Sequence, residues 1–386
     1  MIVAGRAGYS GAMAAAPLTH NTLAQALRDA LVAQPWLEVT DQRSGKPEKH
    51  LPGIDLAVAA FPAGRAPVWA NVLLSREHPR GLVAEIAADA GAVRNVAFVA
   101  DPIDAATNSI AWRAGADWST LSFKPLYGSG PNRFVAPYPA SLVKLMVLVG
   151  VARLVDAGGA KWDEAWPHAG ERHAVAQWAE PMITHSSNEA TDALVALLHA
   201  RGAIRRDGGG ETHNALHQLF AAHGLPTLRF ANTQPTGGWR NGDGAGVGQL
   251  QMTAWDTLRL LWLVAGDDAA PWMPAKTPRL LSADSHDRAF TWLAGQTLND
   301  VLSTTAVRHL PGWVAGIPCR FAHKTGSTET YASDAGLVTC DSGLRYLIAI
   351  LTSQGTHTAS HADQSTNWLL PRVGAAAHAW LESHRS

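Results

Sequence analysis

Cysteine is scarce in this chain, and so is charge. Cys319 and Cys340 are the two cysteines among 386 residues, which excludes a disulfide framework and a cysteine-based zinc site. They could form one bridge, although free buried thiols are expected unless the protein is exported. Charged residues make up 16% and apolar residues 47%, a balance typical of a globular protein and not of a disordered or coiled-coil chain.

The sequence also lacks an excess of one charge and a long apolar run. The 31 basic and 32 acidic side chains leave a net charge of −1, so no overall field attracts nucleic acid or acidic lipid. Small-molecule or peptide substrates are therefore the expected partners. The longest apolar segment, Leu142 to Val155, is interrupted by Lys144 and Arg153 and is too short to span a membrane. No continuous apolar stretch precedes the small-residue run at Ala12 to Ala16, so no export signal is predicted.

Hydrophobic periodicity outlines the first part of the chain. It predicts helices at Leu23 to Ala33 and from Gly81 through Ala87, and strands at Ile54 to Ala60, Asn95 to Ala100, Ile110 to Arg113 and Trp118 to Phe123. Residues 1–80 show no readable function and are interpreted as an amino-terminal extension of unknown role.

A helix that is apolar on nearly every face is predicted from Ser141 to Val155, and such a helix is normally buried. The segments predicted after it are helices at Ala174 to Met182, Glu189 to Ala200, Asn214 to His223 and Thr253 to Val264, strands at Arg320 to Ser327, Ser333 to Cys340 and Leu344 to Thr352, and a closing helix at Asn367 to Leu381. Strands at both ends with helices between them indicate an α+β protein whose sheet joins early and late segments.

The start of the apolar helix carries a serine and a lysine, Ser141 and Lys144. Residues three apart lie on one helical face, so the amine can reach the hydroxyl. Burial lowers the pKa of a lysine and favours the neutral amine that a general base needs, and the backbone N–H groups of a helix start can face a developing oxyanion. The pair is a candidate nucleophile and base, although a two-residue pattern of this kind also arises by chance in a chain of this length.

Two further motifs carry polar groups suited to the same chemistry. Ser186-Ser187-Asn188 interrupts a helical run; a serine hydroxyl can relay a proton and an asparagine amide can hold a carbonyl, although both residues also favour helix N-caps. Lys324-Thr325-Gly326-Ser327 ends a predicted strand, where the lysine and the hydroxyls can hold a carboxylate and the glycine lets a substrate lie close. With seven lysines in the chain, this last motif is improbable by chance.

In this order the motifs resemble the signature of the penicillin-recognising serine enzymes, and the chain is similar to class A β-lactamases in particular. The blocks that carry the similarity are Arg133-Phe134, Pro139 to Lys144, Val155 to Gly158, Met182 to Leu194 and Lys324 to Thr352. The resemblance implies one serine hydrolase domain at residues 81–386 with a β-lactamase/transpeptidase-like fold. In that fold a mostly antiparallel sheet is flanked by helices and packs against an all-helical lobe, with the active site in the cleft between them. A periplasmic location would follow from the resemblance, and a cytoplasmic one from the sequence alone.

The same resemblance implies a role for each motif residue. Ser141 would be the acylated nucleophile, Lys144 its base or base-orienter, and Ser186 the proton relay to the leaving nitrogen. Asn188 would bind the amide of the substrate side chain, and the backbone N–H groups of Ser141 and Ser327 would form the oxyanion hole. Lys324, Thr325 and Ser327 would bind the substrate carboxylate, and Gly326 would complete the substrate-binding strand by letting the substrate lie close to it.

The chain departs from class A enzymes between Asn188 and Lys324. Those enzymes carry a glutamate there that activates the water for hydrolysis of the acyl-enzyme, whereas the corresponding position here is Gln234. An amide cannot accept a proton from water as a carboxylate does. Slow deacylation or another base, such as Asp243, is therefore expected. A lesser departure is Ser187, where the family usually has aspartate.

No cofactor and no metal are expected. The pairs His213/His217 and His357/His361 have a spacing that could chelate zinc, but exposed histidines are the simpler interpretation. The glycine-rich segment 242–248 lacks the preceding strand and the following lysine of a phosphate-binding loop.

The prediction is thus a metal-free serine hydrolase that attacks an amide or β-lactam bond through an acyl-serine intermediate. Two alternatives stay open. One is a penicillin-binding D-Ala-D-Ala carboxypeptidase or esterase with slow β-lactam deacylation, and the other is a β-lactam-binding sensor that stays acylated.

Overall fold

The computed structural model describes residues 17–39, 45–47, 50–104, 109–113, 115–207, 209–238, 249–303, 318–354 and 369–385. Its helices are α1 (His20–Val32), α2 (Lys144–Asp156), α3 (Val175–Thr184), α4 (Asn188–Ala200), α5 (Ala215–Ala222), α6 (Ala254–Ala265), α7 (Ala283–Ala294) and α8 (Leu369–Ser383). Its strands are β1 (Gly53–Ala60), β2 (Val68–Leu74), β3 (Leu82–Val83), β4 (Val96–Ala100), β5 (Pro125–Tyr127), β6 (Asn132–Ala136), β7 (Ala165–His168), β8 (Glu171–Ala174), β9 (Ile204–Asp207), β10 (Gly210–Asn214), β11 (Arg229–Phe230), β12 (Leu250–Gln251), β13 (Cys319–Ser327), β14 (Tyr331–Cys340) and β15 (Arg345–Ser353).

A six-stranded antiparallel sheet in the order β13-β14-β15-β1-β2-β3 organises the molecule. Strand β1 lies between β15 and β2, and Ala57 faces Ala349 on one side and Asn71 on the other. Early and late segments therefore share one sheet, as predicted for the α+β class. Residues 53–74, which the sequence places in the amino-terminal extension, supply two of its strands.

Helices cover both faces of this sheet. Every residue of β1 is buried, and alternate side chains point to opposite faces. Leu56 and Val58 belong to the apolar cluster formed with α1 and α8, whereas Ala57 and Ala59 belong to the larger cluster that contains α6 and the other helices.

A buried carboxylate joins the sheet to α6. Asp55 is fully buried in β1, and its Oδ1 accepts a hydrogen bond from Asn71 Nδ2 at 2.7 Å. Its Oδ2 accepts from the N–H of Ala254, the first residue of α6, at 2.8 Å. A negative group is favoured at a helix N-terminus, which compensates part of the penalty for burial. Burial raises the pKa of Asp55 to about 6.

Helix α2 is the centre of the helical part, as its composition predicts. Residues 144–152 are buried without interruption, and α3, α4, α5 and α7 pack around the helix. Among the described residues, no helix combines the length and the apolar character that a membrane crossing requires.

Three local predictions are wrong. The segment after Gly81 forms the short strand β3 and an isolated bridge between Ile86 and Val93, not a helix. The segments at 110–113 and 118–123 are turns and irregular backbone, not strands. Their apolar residues form a separate small cluster in which the Trp112 and Trp118 rings pack edge to face at 4.9 Å. These residues are hydrophobic because they fill that cluster, so the apparent strand pattern was misleading.

Cys319 and Cys340 form a disulfide, so the expectation of free thiols is wrong. The two residues face each other directly in the register of β13 and β14, with a Cα–Cα distance of 4.0 Å. They are 21 positions apart in the sequence, and the strand pairing alone brings the two sulfurs together.

Candidate active site

Ser141 lies in a single turn of 3-10 helix, Ala140–Val143, that leads directly into α2. Ala140, the residue before it, has a φ of +51°, in the left-handed region that a residue with a Cβ rarely adopts. Such strain persists only where the surrounding packing enforces it, and it concentrates at functional sites. The turn leaves Ser141 partly exposed while Lys144, three residues later, is fully buried.

The Lys144 ammonium group is surrounded by oxygens. Its Nζ lies 3.1 Å from Ser141 Oγ, 2.6 Å from the carbonyl oxygen of Ser186, 3.1 Å from Ser186 Oγ and 2.8 Å from Asn188 Oδ1. Burial lowers the pKa of Lys144 to about 8, and the charge of Asp192 opposes the shift. A useful fraction of the amine is therefore neutral near neutral pH, and it points at the Ser141 hydroxyl.

The connection between α3 and α4 places the second motif against the first. Ser186 adopts a φ of +57°, and the Ser187 hydroxyl caps α4 by accepting a hydrogen bond from the N–H of Ala190 at 3.1 Å. Ser187 thus fixes where α4 begins, and Asn188 lies in its first turn. The left-handed conformation directs Ser186 Oγ between two lysines, Lys144 and Lys324.

Strand β13 brings in the third motif. Lys324 is fully buried, and its Nζ donates to Ser186 Oγ at 3.0 Å and to the carbonyl oxygen of Thr325 at 2.7 Å. Burial and the neighbouring positive charge of Lys144 lower the pKa of Lys324 to about 7. The three motifs, which are up to 186 positions apart in the chain, thus meet at one place.

Gly326 allows this meeting. A Cβ at this position would lie 2.4 Å from the backbone nitrogen of Leu142, 2.5 Å from the carbonyl oxygen of Pro139 and 3.0 Å from the backbone nitrogen of Ser141. These are backbone atoms that cannot move aside as a flexible side chain can. A residue without a side chain is therefore required for β13 to contact the turn that carries Ser141.

A buried polar network lies behind Lys324, and no sequence motif indicates it. His323 Nδ1 is 2.7 Å from Asp334 Oδ1, and its Nε2 is 3.0 Å from Asn299 Oδ1. Asp334 also accepts from the N–H of Leu302 at 3.2 Å. The network ties β13 to β14 and to the segment 299–302, which fixes the strand on which Lys324 stands.

Gln234 does not join the cluster around Ser141. Its N–H donates to the carbonyl oxygen of Gly238 at 2.9 Å, its carbonyl oxygen accepts from the N–H of Gly237 at 2.9 Å, and its side-chain amide reaches the Asn232 carbonyl oxygen at 3.5 Å. All the hydrogen bonds that the described residues give it stay within its own turn. Asp243, the alternative base, lies outside the described residues, as does the whole glycine-rich segment 242–248.

A carboxylate that the sequence interpretation missed is Asp192 on α4. It follows Asn188 by four positions, a spacing that places both on one helical face. This spacing is the signal that could have identified it.

The histidine pairs do not form a metal site in the described residues. His217 Nε2 accepts a hydrogen bond from the N–H of Phe230 at 3.0 Å, and the pair His357/His361 lies outside the described ranges. Within those ranges, one group of three potential ligands is close enough to share an ion, Cys319, Cys340 and His378. Its two sulfurs are bonded to each other.

A family model described as the beta-lactamase enzyme family matches residues 135–381, which is more than half of the chain. No curated protein matches the sequence.

Two solved structures illustrate the similarity. One is a PBP-A mutant in an acyl-enzyme complex with penicillin G, at 18% identity, covering 94% of this chain and 98% of that one with a TM-score of 0.52. The other is the TLA-1 extended-spectrum β-lactamase, at 13% identity, covering 94% of this chain and 99% of that one with a TM-score of 0.50. At these identities the likeness shows the fold, and the predicted β-lactamase/transpeptidase-like fold is confirmed.

Proposed function

Because the chain belongs to the beta-lactamase enzyme family, we propose that it is a serine hydrolase that opens an amide or β-lactam bond through an acyl-enzyme on Ser141. The observation that supports this most strongly is the 3.1 Å distance between Lys144 Nζ and Ser141 Oγ, in a site where Lys144 is buried and has a lowered pKa. A nucleophile within hydrogen-bond reach of a base is the requirement for acyl transfer.

In the acylation step, the neutral amine of Lys144 takes the proton of Ser141 as Oγ attacks the carbonyl carbon of the substrate. The backbone N–H groups of Ser141 and Ser327 would hold the resulting oxyanion. The bond to the leaving nitrogen then breaks, and the proton passes from Lys144 through Ser186 Oγ to that nitrogen. The 3.1 Å distance between Lys144 Nζ and Ser186 Oγ supports this relay.

Substrate recognition would fall to the residues around this relay. Lys324, Thr325 and Ser327 suit a carboxylate close to the bond that is cleaved, as in penicillins and in peptides ending in D-Ala-D-Ala. Asn188, which is exposed, keeps its amide nitrogen available for a carbonyl of the substrate side chain while its Oδ1 holds Lys144.

A second candidate function is favoured by Gln234. Without a carboxylate at this position, hydrolysis of a β-lactam adduct could be slow, so the chain could act as a D-Ala-D-Ala carboxypeptidase, as an esterase or as a sensor that stays acylated. All three keep Ser141 as the nucleophile. They differ in the substrate and in whether the acyl-enzyme is hydrolysed.

Intact-mass spectrometry with penicillin G tests these proposals, with Ser141→Ala as control and the remaining drug measured in the same tube. Drug loss without a lasting adduct in the wild type identifies a β-lactamase. A persistent adduct that requires Ser141 identifies a penicillin-binding or sensor role. If the wild type shows neither, and also fails to cleave p-nitrophenyl acetate and a D-Ala-D-Ala peptide, the proposed nucleophilic role of Ser141 is wrong.

A further inference from the structure

Asp192 lies close to the reacting groups without contacting them. It stands one helical turn beyond Asn188, whose Oδ1 is 2.8 Å from Lys144 Nζ. The charges of Asp192 and Lys144 act on each other, since Asp192 opposes the lowering of the Lys144 pKa and Lys144 opposes the raising of the Asp192 pKa. No ion pair or hydrogen bond joins the two side chains in the described part of the chain. A carboxylate that acts on a buried ammonium group without a direct contact can do so through a bridging water.

The Asp192 carboxylate interacts with the charges of His168, Lys144 and Glu189, but it has no hydrogen-bond partner in the described ranges. It is half-buried, and no described residue donates a hydrogen bond to it. Half-buried carboxylates in proteins are usually paired or hydrogen-bonded. Because no described residue donates a hydrogen bond to Asp192, both of its oxygens can accept a proton. Burial, the largest cause, raises its pKa, which strengthens it as a base.

The segment that carries Gln234 packs directly on Asp192. A Cβ at Gly238 would lie 2.7 Å from Asp192 Oδ1, and one at Gly237 would lie 2.4 Å from the carbonyl oxygen of Asp192. Gly237 and Gly238 are in turn hydrogen-bonded to Gln234. The turn that carries Gln234, in place of the class A glutamate, thus packs against the Asp192 carboxylate of α4.

We propose that Asp192 is the general base that activates water for hydrolysis of the acyl-enzyme. The inference rests on the proposed acylation of Ser141. Asp192 takes one proton from a water molecule as the water oxygen attacks the ester carbon. Asp192 passes this proton to the neutral amine of Lys144, and Lys144 delivers it to Ser141 Oγ as the bond between the ester carbon and Oγ breaks. The net reaction adds one water to the ester and regenerates the hydroxyl and both bases.

Asp192→Asn separates this role from acylation. The variant keeps the size of the side chain and removes the base. We expect penicillin G or p-nitrophenyl acetate to acylate it at a rate within about threefold of the wild type, whereas the adduct hydrolyses on the order of 100-fold more slowly. The rates are measured by rapid-quench mass spectrometry. Asp192→Glu, which retains a carboxylate, should recover part of the hydrolysis rate.

Glu180→Gln is the matched control, because it makes the same charge change on an exposed carboxylate of the neighbouring helix α3, which is not among the charges that act on Asp192. It should leave adduct hydrolysis unchanged. The pH profile provides a readout that a merely structural role would not change. Hydrolysis of the wild-type adduct should fall as pH drops through the pKa of Asp192, and this limb should disappear in Asp192→Asn.

The outcomes are distinguishable. A Ser141-dependent adduct that hydrolyses equally fast in the wild type and in Asp192→Asn overturns the role of Asp192 and leaves the acylation intact. An adduct that persists in the wild type also overturns it, because no base then operates. If the wild type is acylated and Asp192→Asn is not, Asp192 acts before the adduct forms, which contradicts the proposal. Absence of any adduct or turnover in the wild type overturns the proposed function itself.

Discussion

Lys144 and Lys324 meet at one oxygen, because Ser186 Oγ lies 3.1 Å from the Nζ of the first and 3.0 Å from the Nζ of the second. Both lysines are fully buried, and each reaches Ser186 from a different element, α2 or β13. Two buried ammonium groups on one hydroxyl repel each other. The site therefore favours a state in which one of them is neutral.

The rate of acylation should consequently depend on pH in a bell-shaped manner. Acylation needs neutral Lys144 and rises as pH passes through about 8, whereas binding of a substrate carboxylate needs charged Lys324 and is lost as pH passes through about 7. We expect kcat/KM for penicillin G acylation to be maximal between these values. For p-nitrophenyl acetate, which has no carboxylate, the rate should rise to a plateau above pH 8. A profile that is flat from pH 6 to 9 for both substrates would contradict the assignment of the two lysines.

Removal of the Ser186 hydroxyl should depend on the leaving group. Ser186→Ala should slow acylation by penicillin G on the order of 100-fold, because the leaving nitrogen needs a proton. It should slow acylation by p-nitrophenyl acetate much less, because p-nitrophenolate leaves unprotonated. Ser187→Ala is the matched control and should lower the free energy of unfolding by about 1 kcal/mol through the lost cap without separating the two substrates. Equal losses on both substrates in Ser186→Ala would argue against a proton relay.

Gly326→Ala should displace the nucleophile. The new Cβ would meet backbone atoms of Pro139 and Leu142 at 2.5 and 2.4 Å, so either β13 or the turn with Ser141 must shift. A shift of about 1 Å at a reacting group reduces rates on the order of 100-fold. Gly210→Ala, another glycine in a strand, has no atom nearer than 3.8 Å to the new Cβ and serves as the control. We compare the acylation rates of the two variants per folded molecule, and circular dichroism gives the folded fraction. Equal rates in Gly326→Ala and Gly210→Ala would refute the packing argument.

Reduction of the disulfide should affect stability and leave the chemistry in place. The bridge between Cys319 and Cys340 closes a loop of 21 positions, for which the chain-entropy relation gives about 3 kcal/mol. We expect dithiothreitol to lower the midpoint of urea unfolding, while the acylation rate at low urea stays within about twofold. Cys319→Ser with Cys340→Ser should reproduce the effect without reductant. A reduced protein as stable as the oxidised one would mean that strand pairing alone holds this edge.

Asp101 should make the fold less stable as pH rises. Its buried carboxylate accepts hydrogen bonds from Ser109, Tyr331 and Ser353, and burial raises its pKa to about 7, from 3.8. The folded protein thus holds the proton more tightly than the unfolded chain. The contribution, about 4 kcal/mol, is fully present below pH 4 and lost as pH rises through 7. Urea unfolding between pH 4 and 8 measures how the free energy of unfolding changes with pH, and Asp101→Asn should reduce this change. If the free energy of unfolding of the variant falls with pH as steeply as that of the wild type, other groups cause the change.

Much of the local structure could be predicted from the sequence. The helix after Pro139 and the three strands that end at Thr352 follow from apolar periodicity, which reports burial on one or all faces. The turns around Trp112 and Trp118 could not be predicted, because apolar residues that fill an irregular cluster resemble a strand in a linear pattern. Strand β2 was also missed, although it pairs with β1 and all of its residues are buried.

The residues of the candidate site likewise fall into those that the sequence indicates and those that it does not. The motif residues from Ser141 to Ser327 could be selected from the sequence because the three short motifs, in this order, resemble the signature of the penicillin-recognising serine enzymes. The His323–Asp334 pair could not, and the only sequence signal for Asp192 was its spacing from Asn188. The significance of these residues depends on which side chains lie beside them in space.

By itself, the sequence determined the α+β class, the buried helix α2 and the three short motifs. The class follows from the order of helices and strands along the chain, and the helix and the motifs depend on residues that are neighbours in the sequence. Only the tertiary structure decided that Lys144 and Lys324 share Ser186, that Cys319 bonds to Cys340, and that the Gln234 turn packs on Asp192. These contacts arise when strand pairing and the burial of apolar faces bring distant segments together, and no local pattern encodes which segments will meet.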